Sequence, residues 1–168
     1  MKVLDKITGI LQKIELGIGT VVVAGIFLLT TINIFMRYAL NSPIFWAEEV
    51  ILYSFIWMGY LTAAYTLSKD QHVRFTLITD ALSPKAQLIM KAIWDILIAV
   101  GFVLLYPSAI KVIDFLIKTP ALQVPEKYFY MIVPIGYALI IIHTLINFSK
   151  RIFELKEQPA AIAEKGAN

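Results

Sequence analysis

Residues 41–61 read NSPIFWAEEVILYSFIWMGYL, which sets two adjacent glutamates at the mouth of an apolar, aromatic-rich run. Charge is expensive in hydrocarbon, so Glu48 and Glu49 ask for a reason. Three readings are open: an ion-coupling site, a helix-end device, or half of a structural ion pair. The run from about 46 to 67 is long enough to cross a bilayer, which takes about 20 mostly apolar residues in a helix. Ser42 and Pro43 precede it as a helix-start signal, with the hydroxyl as cap and the proline in the first turn. Both glutamates then fall in the first two turns, where the positive end of the helix dipole favours anions.

Three further stretches have the same character, at about 14–36, 88–110 and 126–148. Of the 168 residues, 59% are hydrophobic and 16% charged, and the mean hydropathy is +0.75. A soluble domain of this size could not cover so much apolar surface. The expected class is an all-α integral membrane protein of four transmembrane helices. Residues 1–153 form a single membrane domain, and 154–168 read as a disordered cytoplasmic tail. The first apolar run begins late, is too long for a signal-peptide core and lacks a small-residue cleavage site, so it reads as a retained span. With no cysteine, disulfide and thiolate–metal chemistry are excluded.

Lysine and arginine set the orientation. Lys2, Lys6, Lys13, Lys69, Arg74, Lys85, Lys91, Lys150, Arg151, Lys156 and Lys165 fall on one side; Arg37, Lys111, Lys118 and Lys127 fall on the other. The positive-inside rule therefore places both termini in the cytoplasm, which makes residues 38–45 and 118–125 the outer loops. Residues 3–14 are amphipathic in helical period, with Val3, Ile7, Ile10 and Ile14 on one stripe. They read as a short N-terminal interfacial helix or as a prolongation of helix 1 into water.

Helix 3 opens at Ser83-Pro84, another cap signal, and its pattern runs to about Lys118, too long for the hydrocarbon alone. Pro107 is the expected kink. Beyond it Lys111, Asp114 and Lys118 share a polar face, a candidate periplasmic docking surface. Helix 4 begins near Pro125-Glu126 and carries Pro134 and Gly136.

On helix 2, Trp46, Glu49, Tyr53, Trp57 and Tyr60 share a stripe, read either as a docking face for a partner subunit or as internal packing. Gly59 and Ala63 form a small-xxx-small pair that permits close helix approach. Lys91 and Asp95, four apart, read as a self-compensating structural pair. His143 and Asn147 share a face, but the other histidine, His72, lies in a loop, so no haem or metal site is expected. No phosphate loop or nucleophile–base arrangement appears, and the chain is not expected to be an enzyme. Arg37 closes helix 1 beside the short loop to helix 2. It is the expected partner of Glu48, Glu49 or both, in a structural ion pair.

The order of these motifs resembles the small membrane subunit (DctQ-like) of TRAP transporters, the tripartite ATP-independent periplasmic transporters. The resemblance runs from about residue 10 to 152. It is carried by Arg37-Tyr38, by FWAEEV at 45–50, by LTAAYTLSKDQHVRF at 61–75 and by the triplet His72-Val73-Arg74. Where the family often has an acidic residue two positions after that arginine, this chain has Thr76.

The resemblance implies a small subunit that binds neither substrate nor cofactor. It would scaffold a large membrane subunit that holds the sodium and substrate sites, and help a soluble periplasmic binding protein to dock. The expected location is the bacterial inner membrane, among its lipids and without a nucleic-acid partner. The resemblance implies an organic acid as the substrate of such a system; the sequence looks closest to the sialic-acid branch, with C4-dicarboxylate the second reading. A stand-alone four-helix ion-coupled transporter using Glu48 or Glu49 is the competing class. It would want a carboxylate near the bilayer midplane, and both glutamates lie near an end.

Overall fold

The computed structural model describes residues 2–69, 83–114 and 117–165. Its elements are α1 (Lys2–Ala39), α2 (Ala47–Ser68), α3 (Pro84–Asp114), the single turn α4 (Lys127–Tyr130) and α5 (Ile132–Lys165). Four segments are long and apolar enough to cross a membrane: Leu4–Ala39, Ala47–Ser68, Lys85–Asp114 and Lys127–Leu155. Residues 70–82, with the triplet His72-Val73-Arg74 and Thr76, lie outside the described residues.

α1 packs along α2, α2 along α5, and α5 along α3; α1 makes no extended contact with α3. The helices therefore stand in a row, not a closed bundle. Its middle is the core, where Ala64 and Leu67 of α2 meet Ile140 of α5, with Ile98 and Phe102 of α3 packed against them. The two end helices leave large apolar side chains exposed, among them Val21 and Phe27 on α1 and Trp94 and Leu104 on α3. In water such a surface would drive association. In a bilayer it is the natural finish.

Residues 3–14 are the first turns of α1, continuous with the span, and not a separate helix. No proline interrupts the 38 residues of α1, which at 1.5 Å each reach about 57 Å, far beyond the hydrocarbon. Gln12 marks where α1 passes the end of α2, its amide donating to the Ser68 carbonyl at 3.3 Å. Below that level α1 runs beside α5, and Asp5 pairs with Lys150 at 2.6 Å.

α5 likewise continues past Glu154 to Lys165, with Pro159 inside that stretch. α3 passes through Pro107 as one helix. At its start the Ser83 hydroxyl accepts from the Ala86 N–H at 3.4 Å, with Pro84 in the first turn.

The cap of α2 differs from the expectation. The helix begins at Ala47, and Trp46 at its cap supplies no side-chain bond. Ser42 serves α1 instead: its N–H closes on the Met36 carbonyl at 3.0 Å, next to Asn41 with φ 48°. The Ile44 N–H is taken by Asn33 Oδ1 at 2.9 Å. The connection is thus clamped from α1, and helical hydrogen bonding starts only after it.

The hydrogen-bond ladder of the last span is interrupted between α4 and α5, while the backbone at Met131 stays helical, with φ −56° and ψ −22°. Pro134 explains the interruption, since it cannot donate to the Tyr130 carbonyl four residues back and its ring crowds that group. Beyond it Gly136 lets α2 approach: a Cβ there would lie 2.8 Å from Tyr60 Cβ. The close approach falls here and not at Gly59, where a Cβ would meet nothing within 4 Å.

Candidate functional site

Polar side chains gather at the two ends of the row. At the end carrying the 38–45 connection, Arg37 pairs with Glu48 through Nη2 and Oε1. Glu49 is not a member of that pair. It turns to the segment before α4, where its Oε2 accepts the Ala121 N–H at 3.2 Å and the Leu122 N–H at 2.9 Å. That segment is a compact hairpin. Thr119 N–H donates to the Val124 carbonyl at 2.9 Å, and Glu126 N–H to the Ile117 carbonyl at 3.0 Å. Gln123 takes φ 54° at the tip. The two glutamates have two different duties, one joining α1 to α2 and the other holding a loop.

Of the two readings of the α2 aromatic stripe, the contacts within the chain are those of internal packing. Tyr53 is buried, stacks on Phe129 with centroids 4.3 Å apart and donates to Glu126 at 3.3 Å. Trp57 Nε1 donates to the Phe129 carbonyl at 2.8 Å. Tyr60 packs beside Tyr137 with centroids 5.9 Å apart. Only Trp46, at the top of the stripe, is substantially exposed. The reason is geometric: the stripe faces α4 and the start of α5, and Gly136 brings that span within reach. Lys111, Asp114 and Lys118 are exposed, with Lys118 bridged to Pro125 at the foot of the hairpin.

At the opposite end the polar groups are buried. His143 Nε2 of α5 lies 2.7 Å from Glu15 Oε1 of α1, with the two side chains 0% and 2% exposed. Asp95 of α3 meets Arg151 of α5 at 3.1 Å, again almost fully enclosed. Asn147 donates to the Leu67 carbonyl at 2.8 Å. α5 is therefore tied to each of the other three long helices by a polar contact at this end. Besides the same-helix neighbour Lys91, Asp95 has a cross-helix partner in Arg151. Nothing in the sequence places Glu15 opposite His143, 128 residues away.

Leu67 and Ser68 close α2, so Asn147 and Gln12 sit level with its end, and His143 lies one turn, about 6 Å, further in. Between the two belts the helices are apolar. Among the described residues no three His, Cys, Asp or Glu side chains gather as a metal site would require. No helix among them is unwound at mid-depth in the way transporters build substrate and ion sites.

A family model described as the DctQ component of tripartite ATP-independent periplasmic transporters matches residues 26–154. The chain belongs to this family. With its four apolar helices, it is a multi-pass membrane protein. Among its relatives is a candidate TRAP transporter small permease protein of Haemophilus influenzae, 36% identical over 44% of this chain and 45% of that protein. The sialic acid TRAP transporter small permease protein SiaQ of Vibrio cholerae is 32% identical over 52% of this chain and 49% of its own length. The ectoine TRAP transporter small permease protein TeaB of Halomonas elongata is 28% identical over 89% of this chain and 78% of its own. The chain thus spans about half the length of the first two. TRAP small subunits are transport components.

Proposed function

We propose that this DctQ-family chain is a scaffold: the small subunit that holds a large TRAP transport subunit in the inner membrane while that partner carries out sodium-driven uptake of an organic acid. One observation carries the reading. The polar groups described above serve contacts within the chain at the two ends of the row, and the helices between are apolar, while α1 and α3 keep broad apolar faces uncovered. A row of helices with a bare flank suits attachment to a larger membrane body, and it offers no route for a solute. Sodium and substrate would then sit on the large subunit, and a soluble periplasmic protein would deliver the substrate. The exposed Lys111, Asp114 and Lys118 are the surface proposed to meet that protein.

Sialic acid is the first substrate to test, followed by a C4-dicarboxylate; relatives named for sialic acid and for ectoine lie at comparable distances. The test is reconstitution of the large subunit and binding protein in proteoliposomes under a sodium gradient, with and without this chain. Uptake is expected only with all three. Full uptake in the absence of the chain would refute the scaffold, and uptake by the chain alone would favour the stand-alone transporter. Single cysteines introduced into this cysteine-free chain, probed with an impermeant thiol reagent, test the orientation. A cysteine at position 158 is expected to label only from the cytoplasmic side.

A further inference from the structure

The seam between α1 and α2 is open on one side, and the opening runs from Glu15 to Tyr38 along α1 and nearly the length of α2. Its half nearer the N-terminus is an apolar groove of about 630 Å³, walled by Leu16, Thr20 and Phe27 of α1 and by Met58, Thr62 and Tyr65 of α2. The other half, of about 540 Å³, continues between Ile34 and Leu52 and ends at Arg37 and Glu48. From Glu15 to Phe27 the first half rises about 18 Å along α1, close to the depth of one leaflet of a hydrocarbon core about 30 Å thick.

The two halves end differently. At the far end Arg37 and Glu48 neutralise one another. At the near end helical register carries the α1 wall on to Lys13, seven residues before Thr20, and the α2 wall on to Lys69, seven after Thr62. Gln12 and Ser68 tie these two ends together at 3.3 Å. Lys13 and Lys69 are exposed, and neither joins an ion pair among the described residues. Lys69 leans over the Tyr65 ring, its Nζ 5.7 Å from the centroid, which sets its charge at the groove mouth. Glu15 borders the same end, buried, with its Oε1 2.7 Å from His143 Nε2.

We propose that this half-groove binds one anionic phospholipid. An acyl chain lies along α1 between Leu16 and Phe27, and the phosphate meets Lys13 and Lys69. Charge complementarity and a length of one leaflet point to this occupant over a zwitterionic lipid. The neutral far half carries no such preference.

Phosphatidylglycerol and phosphatidylcholine, titrated separately onto the purified full-length chain and counted by native mass spectrometry, test the assignment. Phosphatidylglycerol is expected to bind more tightly. The double variant K13Q/K69Q is expected to weaken it by roughly fivefold per lysine, from about 1 kcal/mol for each basic residue at an anionic surface, while phosphatidylcholine binding stays unchanged. G19L, at a groove-lining position where a Cβ meets nothing within 4 Å, fills the space and is expected to reduce both. Equal affinity for the two lipids, or no response to K13Q/K69Q, would overturn the proposal. So would a complex with the large subunit that retains no phosphatidylglycerol while a cysteine at position 62 cross-links to that subunit, since the groove would then hold a helix.

Discussion

The two ends of this molecule handle charge in opposite ways. At the 38–45 end, Arg37 and Glu48 stand 11 residues apart in sequence and their side chains are 47% and 65% exposed. At the other end, Glu15 and His143 are separated by 128 residues and closed off from solvent. The exposed pair can lean on water for much of its solvation; the buried ones depend on each other. One end is therefore adjustable trim, and the other ties three helices to α5.

Breaking the Asp95–Arg151 pair gives the largest effect. Removing one partner of a buried ion pair leaves the other uncompensated, at about 3–5 kcal/mol. Asp95→Ala is expected to lower the unfolding midpoint of the purified protein in detergent by that order. The double change Asp95→Leu with Arg151→Met is expected to recover much of the loss, because apolar packing can replace a buried pair. A double variant no better than the single one would mean that Arg151 has a duty besides this pair. His143→Ala applies the same test to the contact with α1, where Glu15 would lose its partner.

Gly136 comes next, at the seam between the two belts. Gly136→Leu forces a side chain against Tyr60 Cβ, where even a Cβ would sit at 2.8 Å. Overpacking of this kind costs about 1–3 kcal/mol. Because α2 and α5 would have to separate, Trp57 should lose its bond to the Phe129 carbonyl, so a change in its fluorescence should accompany the lower midpoint. Gly59→Leu, on the open side of α2, is expected to leave both readouts unchanged.

Glu49 separates its own role from that of Glu48. Glu49→Ala leaves the Ala121 and Leu122 amides without their acceptor, a loss of about 1–3 kcal/mol where such groups are buried and less here, since Ala121 is exposed. Hydrogen exchange at those two amides should accelerate, with little change in the core of α2. Unchanged exchange in Glu49→Ala would show that the hairpin holds itself through Thr119 and Val124 alone.

What could be read ahead of the structure follows the same division. Four spans were legible because about 20 apolar residues in a row have one physical outcome in a membrane protein. The pairing of Arg37 with Glu48 was legible because a short loop forces the two helix ends together. The partners of Glu15, Asp95 and Glu49 were not, since each depends on which helices neighbour which. A row in the order α1, α2, α5, α3 is not implied by four apolar stretches. The aromatic stripe of α2 was found correctly as a stripe. Its direction was not given, because Tyr and Trp suit an interface with a partner and an interface with α5 equally well. The α2 span starts where the apolar run does, at Ala47, and only the cap signal at Ser42-Pro43 goes unused by it.

The smallest effect belongs to the pair that the sequence advertised most plainly. Arg37→Ala removes the partner of Glu48 at a site where both side chains keep access to solvent. Exposed pairs of this kind contribute about 0.2–1 kcal/mol, and salt screens them. The midpoint is therefore expected to move by little, and to move less again at high ionic strength. Swapping the charges, with Arg37→Glu and Glu48→Arg, should restore only part of even this. An arginine in the first turn of α2 would face the positive end of the helix dipole, and a glutamate in the last turn of α1 the negative end. Glu48→Gln should behave like Arg37→Ala if the pair is all that Glu48 serves. A loss of several kcal/mol from Arg37→Ala, insensitive to salt, would mean that this end becomes buried in the assembled transporter. The contrast between the two ends would then hold only for the isolated chain, and the Arg37–Glu48 corner would mark where the large subunit attaches.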